Sequence, residues 1–199
     1  MRIHNAIALF LFFCFAAVQV PAQQDGAFNW SMALLNARTG ESIPFSAPVT
    51  SQTGERFRLV IEAGAASFCY VIAESSDEDN VGVLYAGSLK SGEVWQSSIL
   101  ELSPPGGEVS LFIVVSGEEQ RDLSQRITAL HNNNGPAQKR ALMNEVFRIR
   151  SNASRFREAP EKPVLMGGAA RSAENSGPDN NGIEFSGLAT YVKAISIEH

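Results

Sequence analysis

Arg56-Phe57-Arg58-Leu59-Val60-Ile61-Glu62-Ala63 decides the fold class of this chain. Phe57, Leu59, Ile61 and Ala63 fall on one face of an extended segment, and Arg56, Arg58 and Glu62 fall on the other. Side chains alternate across a strand, so this period of two predicts a strand half-buried against a core. Thr53-Gly54 introduces it as a turn, and Gly64 ends it. The next stretch, Ser67 to Ala73, is apolar on both faces, which predicts a central position in a packed sheet.

Outward from this pair the chain keeps reading as strands. Asn29 to Leu35 is a short apolar segment, closed by a turn at Thr39-Gly40. Ser42 to Thr50 contains Pro44 and Pro48. Proline cannot donate to a strand ladder, so this stretch is expected as an edge strand or an extended loop. Asp77-Glu78-Asp79-Asn80 is a polar turn before a strand over Val81 to Leu89. Ser91-Gly92 turns into a strand over Glu93 to Leu102, and Pro104-Pro105-Gly106-Gly107 is a loop. Val109 to Val115 is rich in β-branched residues and is the most strand-like segment of all. Turn signals about every ten residues fit a sandwich better than a parallel α/β sheet.

Two helices interrupt the strands. Ser116 with Glu119 three residues on has the spacing of a capping box. Leu123, Ile127 and Leu130 then share one helical face, and Asn132 to Gly135 ends the run. Pro136 suits the first turn of a second helix, whose apolar face carries Leu142, Val146, Ile149 and Ala153. Residues 159–182 are rich in Pro, Gly, Asn and Ser and are expected as a mobile loop. Leu188 to Ile197 closes the chain as a strand. The expected fold is mainly β. It is an antiparallel β-sandwich-like domain over 23–199, with two amphipathic helices inserted at 117–157 and a C-terminal strand returning to the sheet.

Residues 1–22 have the form of a secretory signal peptide. Arg2 supplies the positive start, Ala6 to Val18 is the apolar run, and Val20-Pro21-Ala22 offers a cleavage site. The run is short for a membrane span, which needs about 20 residues, and no second stretch is long and apolar enough. The chain is therefore expected to be exported, periplasmic or secreted, and not integral to the membrane. Leu11-Phe12-Phe13 before Cys14 are too bulky for a lipidation site. Without Cys14 the only cysteine is Cys69, in the middle of an apolar strand, so no disulfide within the chain is expected and the thiol reads as a small core hydrophobe. The net charge of −5, or −6 once Arg2 is removed, argues against nucleic acid as a partner.

The stretch from Gly54 to Ser116 resembles a bacterial envelope family catalogued as domain of unknown function 4384. Gly54-Glu55-Arg56-Phe57-Arg58-Leu59-Val60-Ile61-Glu62-Ala63 is similar to that family's opening strand after a turn. Phe68-Cys69-Tyr70-Val71-Ile72 is similar to its aromatic second strand. Pro104-Pro105-Gly106-Gly107-Glu108, leading into Leu111-Phe112-Ile113-Val114-Val115-Ser116, is similar to its proline-glycine turn and last strong strand. Leu84-Tyr85-Ala86 stands where the family commonly has a step containing proline. The resemblance covers roughly a third of the chain. It implies a β-sandwich-like module of the bacterial envelope, often found beside kinase, peptidase or other envelope domains, with no enzymatic activity.

Residues that carry chemistry are sparse. His131 sits at a helix end and His199 at the terminus, and with Cys69 they make a poor zinc set. Asp77-Glu78-Asp79 lacks the spaced oxygen ligands of a calcium loop. Glu118-Glu119 suit a helix N-terminus through the dipole alone. No nucleophile elbow and no phosphate-binding glycine loop occurs. No catalytic residue, metal site or cofactor is therefore expected. Two interaction candidates stand out. Arg140, Arg148 and Arg155 line one side of the second helix (136–157), flanked by Lys139, Arg150 and Arg157, and could meet an anionic surface. Trp95, between Glu93 and Gln96 in an expected edge region, is the aromatic expected to be exposed. The expected function is a non-catalytic exported envelope protein that binds other envelope proteins. The alternatives are a periplasmic small-ligand or glycan-binding protein and a hydrolase with an unrecognised site.

Overall fold

A computed structural model describes residues 28–52, 54–75, 80–102, 107–153, 162–165, 181–187 and 190–198. The expected signal segment, Arg155, the acidic turn at 77–79 and most of 159–182 lie outside the described residues. In chain order the strands are β1 (Phe28–Asn36), β2 (Ser42–Ile43), β3 (Val49–Thr50), β4 (Arg56–Ala63), β5 (Ser67–Ser75), β6 (Asn80–Leu89), β7 (Val94–Gln96), β8 (Leu100–Glu101) and β9 (Glu108–Ser116). Helices α1 (Arg121–Asn132) and α2 (Pro136–Ala153) follow, then β10 (Lys162–Leu165), β11 (Asn181–Gly187) and β12 (Thr190–Glu198).

The strands form two sheets. One runs β10-β11-β1-β4-β7, with β2 on β1 and β8 on β4. The other runs β3-β12-β9-β5-β6. All pairs are antiparallel except the short parallel pairing of β3 with β12. The mainly β sandwich with two inserted helices, read from the sequence, is the observed architecture. The C-terminal strand does return, pairing with β9 along its whole length.

Alternation explains how one sheet serves two cores. In β9, Leu111, Ile113 and Val115 face the other sheet, while Phe112 and Val114 face the helices. In β5, Cys69 and Val71 face the sandwich, while Tyr70 and Ile72 meet α1 and α2. Strands buried on both faces must be apolar at every position, which is the pattern of Ser67 to Ala73. On β4 the buried face is the expected Phe57, Leu59, Ile61 and Ala63, none more than 1% exposed. Val60 departs from the polar face: with Ala33 and Leu35 it makes a small second cluster there.

The helices bury the expected residues. Leu123, Ile127 and Leu130 of α1, and Leu142, Met143, Val146 and Ile149 of α2, pack on Tyr70, Ile72, Phe112 and Val114. The capping box is corrected. Ser116 stays in β9, and α1 starts at Arg121 behind Gln120, which makes no side-chain cap. Instead the Gln120 N–H donates to the Tyr70 hydroxyl at 3.1 Å, and Gln120 Nε2 donates to Ser116 Oγ at 2.9 Å and Thr190 Oγ1 at 3.2 Å. A helix start needs partners for its free N–H groups, and here the sheet contributes one.

The expected loop over 159–182 is also corrected where it is described. Lys162–Leu165 and Asn181–Gly187 are paired strands, and β11 continues the sheet onto β1. Phe185 of β11 is fully buried, stacked on Trp30 with ring centroids 4.3 Å apart and tilted against Tyr191 at 4.9 Å. Two strands from distant parts of the chain thus close the sandwich around one aromatic cluster.

Candidate functional site

The two sheets present a common margin at β6 and β7. β6 is the outer strand of the five-stranded sheet, and among the described residues it pairs with β5 alone. β7 and β8 pair with β4 at the margin of the other sheet. A tight turn carries the chain from β6 to β7. Gly92 adopts φ +76 there, a left-handed conformation that favours glycine, and its N–H donates to the Ala63 carbonyl at 2.7 Å. The Lys90 N–H donates to Glu93 Oε2 at 2.7 Å, and Ser91 Oγ donates to the Gly64 carbonyl at 2.9 Å. These bonds pin the turn to the end of β4 and so fix where β7 lies.

Trp95 sits in β7 opposite Ile61. The edge placement agrees with the expectation, but its exposure does not. The indole is half-buried, packed on the sandwich core and on Tyr85 of β6, with ring centroids 4.9 Å apart. The Tyr85 hydroxyl donates to the Ser88 carbonyl at 3.1 Å. Burial, followed by the Cys69 and Glu93 charges, pushes its phenol above the usual range. Ile99, three residues beyond β7, is 48% exposed and is one of two large apolar side chains so exposed among the described residues. Leu84, Tyr85, Trp95 and Leu100 are half-buried around this margin. The Tyr85–Trp95 contact joins two sheets, so no local pattern in the sequence signals it.

β6 itself holds no charged residue and no proline from Asn80 to Leu89. Its register against β5 shifts between Val83 and Tyr85, which leaves Leu84 unmatched in a bulge.

The arginine stripe is altered by the fold. Arg140 is exposed on α2. Arg148 Nε donates to Glu145 Oε2 at 2.8 Å, and its guanidinium reaches Asp122 of α1 at 3.8 Å. The Glu145 contact holds the Arg148 pKa above its ordinary value. Arg148 is thus engaged in a small ion network, while Arg155 lies outside the described residues.

Cys69 is fully buried, and that burial pushes its thiol up to about 12. Such a thiol stays protonated and inert at ordinary pH. A depression of about 420 Å³ beside α1 is lined by Glu119, Arg121, Ser124, Gln125, Thr128 and Asn132, with no aromatic platform for a sugar. Among the described residues no group of His, Cys, Asp or Glu is placed to hold a metal ion, and no helix is long and apolar enough to cross a membrane. Comparison with protein-family profiles, curated proteins and solved structures returned no match to this chain.

Proposed function

We propose that this protein is an exported, non-catalytic bacterial envelope protein whose sandwich binds an extended segment of another envelope protein at the β6–β7 margin. One observation carries the reading: β6 is a ten-residue outer strand with neither charge nor proline. An outer strand exposes a row of unpaired N–H and C=O groups, and soluble proteins blunt such rows with charges, proline, bulges or short length, of which β6 has only the bulge at Leu84. Where they are left open, an incoming strand can add to the sheet by main-chain hydrogen bonds. The Tyr85–Trp95 pair lies beside that edge and supplies an apolar anchor for the incoming side chains. The signal pattern over 1–22 and the likeness of 54–116 to an envelope module support the setting.

The test is recovery of partners on the exported protein from its own envelope, followed by binding of peptides from the recovered protein. An extended peptide that binds and protects β6 amides from hydrogen exchange is the expected result. Recovery of nothing above background, or protection confined to another element, overturns the reading.

A further inference from the structure

Helix α2 carries its charge on one side of the balance. Its described residues hold Lys139, Arg140, Arg148 and Arg150 against a single carboxylate, Glu145. Arg148 takes that carboxylate. Lys139, Arg140 and Arg150 form no ion pair among the described residues, so the helix presents an uncompensated cationic ridge on a chain of net charge −5.

An apolar ring interrupts this ridge. Phe147 follows Arg140 by seven residues, which returns it to within about 20° of the same line on a helix. It is 43% exposed. Its ring meets Phe112 edge-on, with centroids 5.5 Å apart, so one side is anchored against the sheet while the rest faces outward. Exposed Arg150 follows it by one turn.

We propose that the flank of α2 bearing Arg140, Phe147 and Arg150 docks on the anionic surface of a lipid bilayer. The charge complementarity is direct, since arginines gain from anionic head groups in proportion to their number near the surface. The ring selects the bilayer among anionic partners. Between arginines, an exposed phenylalanine finds an apolar medium at the boundary of head groups and acyl chains, whereas an acidic polymer would leave it against polar groups. The contact is peripheral, because α2 is not apolar enough to cross a membrane.

The test is sedimentation of the exported protein with vesicles of phosphatidylglycerol and phosphatidylethanolamine, and separately with phosphatidylcholine vesicles. Wild type and variants are prepared alike, so the apolar run near the start of the chain weighs equally in every comparison. Binding to the anionic vesicles alone, weakened by salt, is expected. Arg140→Glu with Arg150→Glu lowers it by about tenfold or more, and Phe147→Ser lowers it severalfold. Unchanged thermal unfolding of these surface variants shows that the fold is intact. Equal binding to both vesicles, or binding indifferent to the two charge reversals, overturns the proposal. Binding that is lost with the charges but indifferent to Phe147→Ser also overturns it, and assigns the face to an acidic polymer.

Discussion

The two edges of the five-stranded sheet are built on opposite terms. At one, β3 contributes two residues, Val49 and Thr50, paired in parallel with Ile197 and Glu198. Pro48 stands immediately before it, and the Ser51 N–H donates to the Glu198 carbonyl at 2.8 Å. β3 is short and preceded by proline, and over Thr190–Ser196, where no other described strand pairs on that side, β12 carries the charge of Lys193. At the other, β6 runs for ten residues with no such device except the bulge at Leu84. A free edge invites pairing with other chains, and protection at one side of a sheet shows that the fold can supply it. In the proposed reading, the β6 edge, which has a bulge but neither charge nor proline, is the one an incoming strand pairs with.

The largest effect should come from Trp95→Ala, which removes the ring that joins the two sheets at the open margin. Loss of a fully buried tryptophan costs about 3–5 kcal/mol, and the half-buried position of Trp95 reduces this to about 2 kcal/mol. Urea unfolding measures it. Retention of the margin's partner should fall with it. A change near zero would mean that the margin is not tied together by this contact.

An open edge need not be a loose one. Cys69 of β5 lies opposite Gly87 of β6, and its thiol faces the sandwich core. In the unfolded chain it ionises near 9.0, whereas in the fold burial holds it up to about 12. The folded state keeps the proton that the unfolded state loses, so this contribution is intact below pH 9 and declines as pH rises toward 12. At pH 10 it should be smaller by about 1.4 kcal/mol. The measure is the stability difference between wild type and Cys69→Ala, which should shrink by that amount between pH 8 and pH 10. A constant difference would mean that water reaches the thiol and that β6 opens readily. The smallest effect is expected at the guarded edge. Thr50→Lys adds a charge to an exposed residue there and should shift stability by less than about 0.5 kcal/mol.

Local periodicity made much of the fold legible. The alternation at Phe57, Leu59, Ile61 and Ala63 and the two-faced run from Ser67 to Ala73 specify burial without reference to distant residues. The helical spacing of Leu142, Val146 and Ile149 does the same. Long-range contacts were not legible. Asn181 and Gly182 have the composition of a loop, yet they open β11 because Ile183 and Phe185 find Met32 and Trp30 on β1. Ser116 and Glu119 have the spacing of a cap, but Ser116 is held in β9 beside Thr190, 74 residues away. The site shows the same division. That Trp95 lies in an edge strand followed from its flanking polar residues, while its burial depends on Tyr85 in the other sheet. Arg140 remained exposed as its position on the helix implied, but Arg148 met Asp122 from the neighbouring helix. Within periodic elements, burial can be read locally; which residues they meet, and with it the burial of Trp95 and Phe185, is set by topology.

The most direct test sets the two edges against each other. Affinity for the recovered partner peptide is measured for wild type, Ala86→Lys and Thr50→Lys. Ala86 is exposed on β6, and a lysine there is the protection that this edge lacks. Ala86→Lys should weaken binding by about tenfold or more with unchanged thermal unfolding, while Thr50→Lys binds as wild type does. Equal affinity for all three proteins, or an equal loss at both edges, would contradict the assignment of β6 as the binding edge.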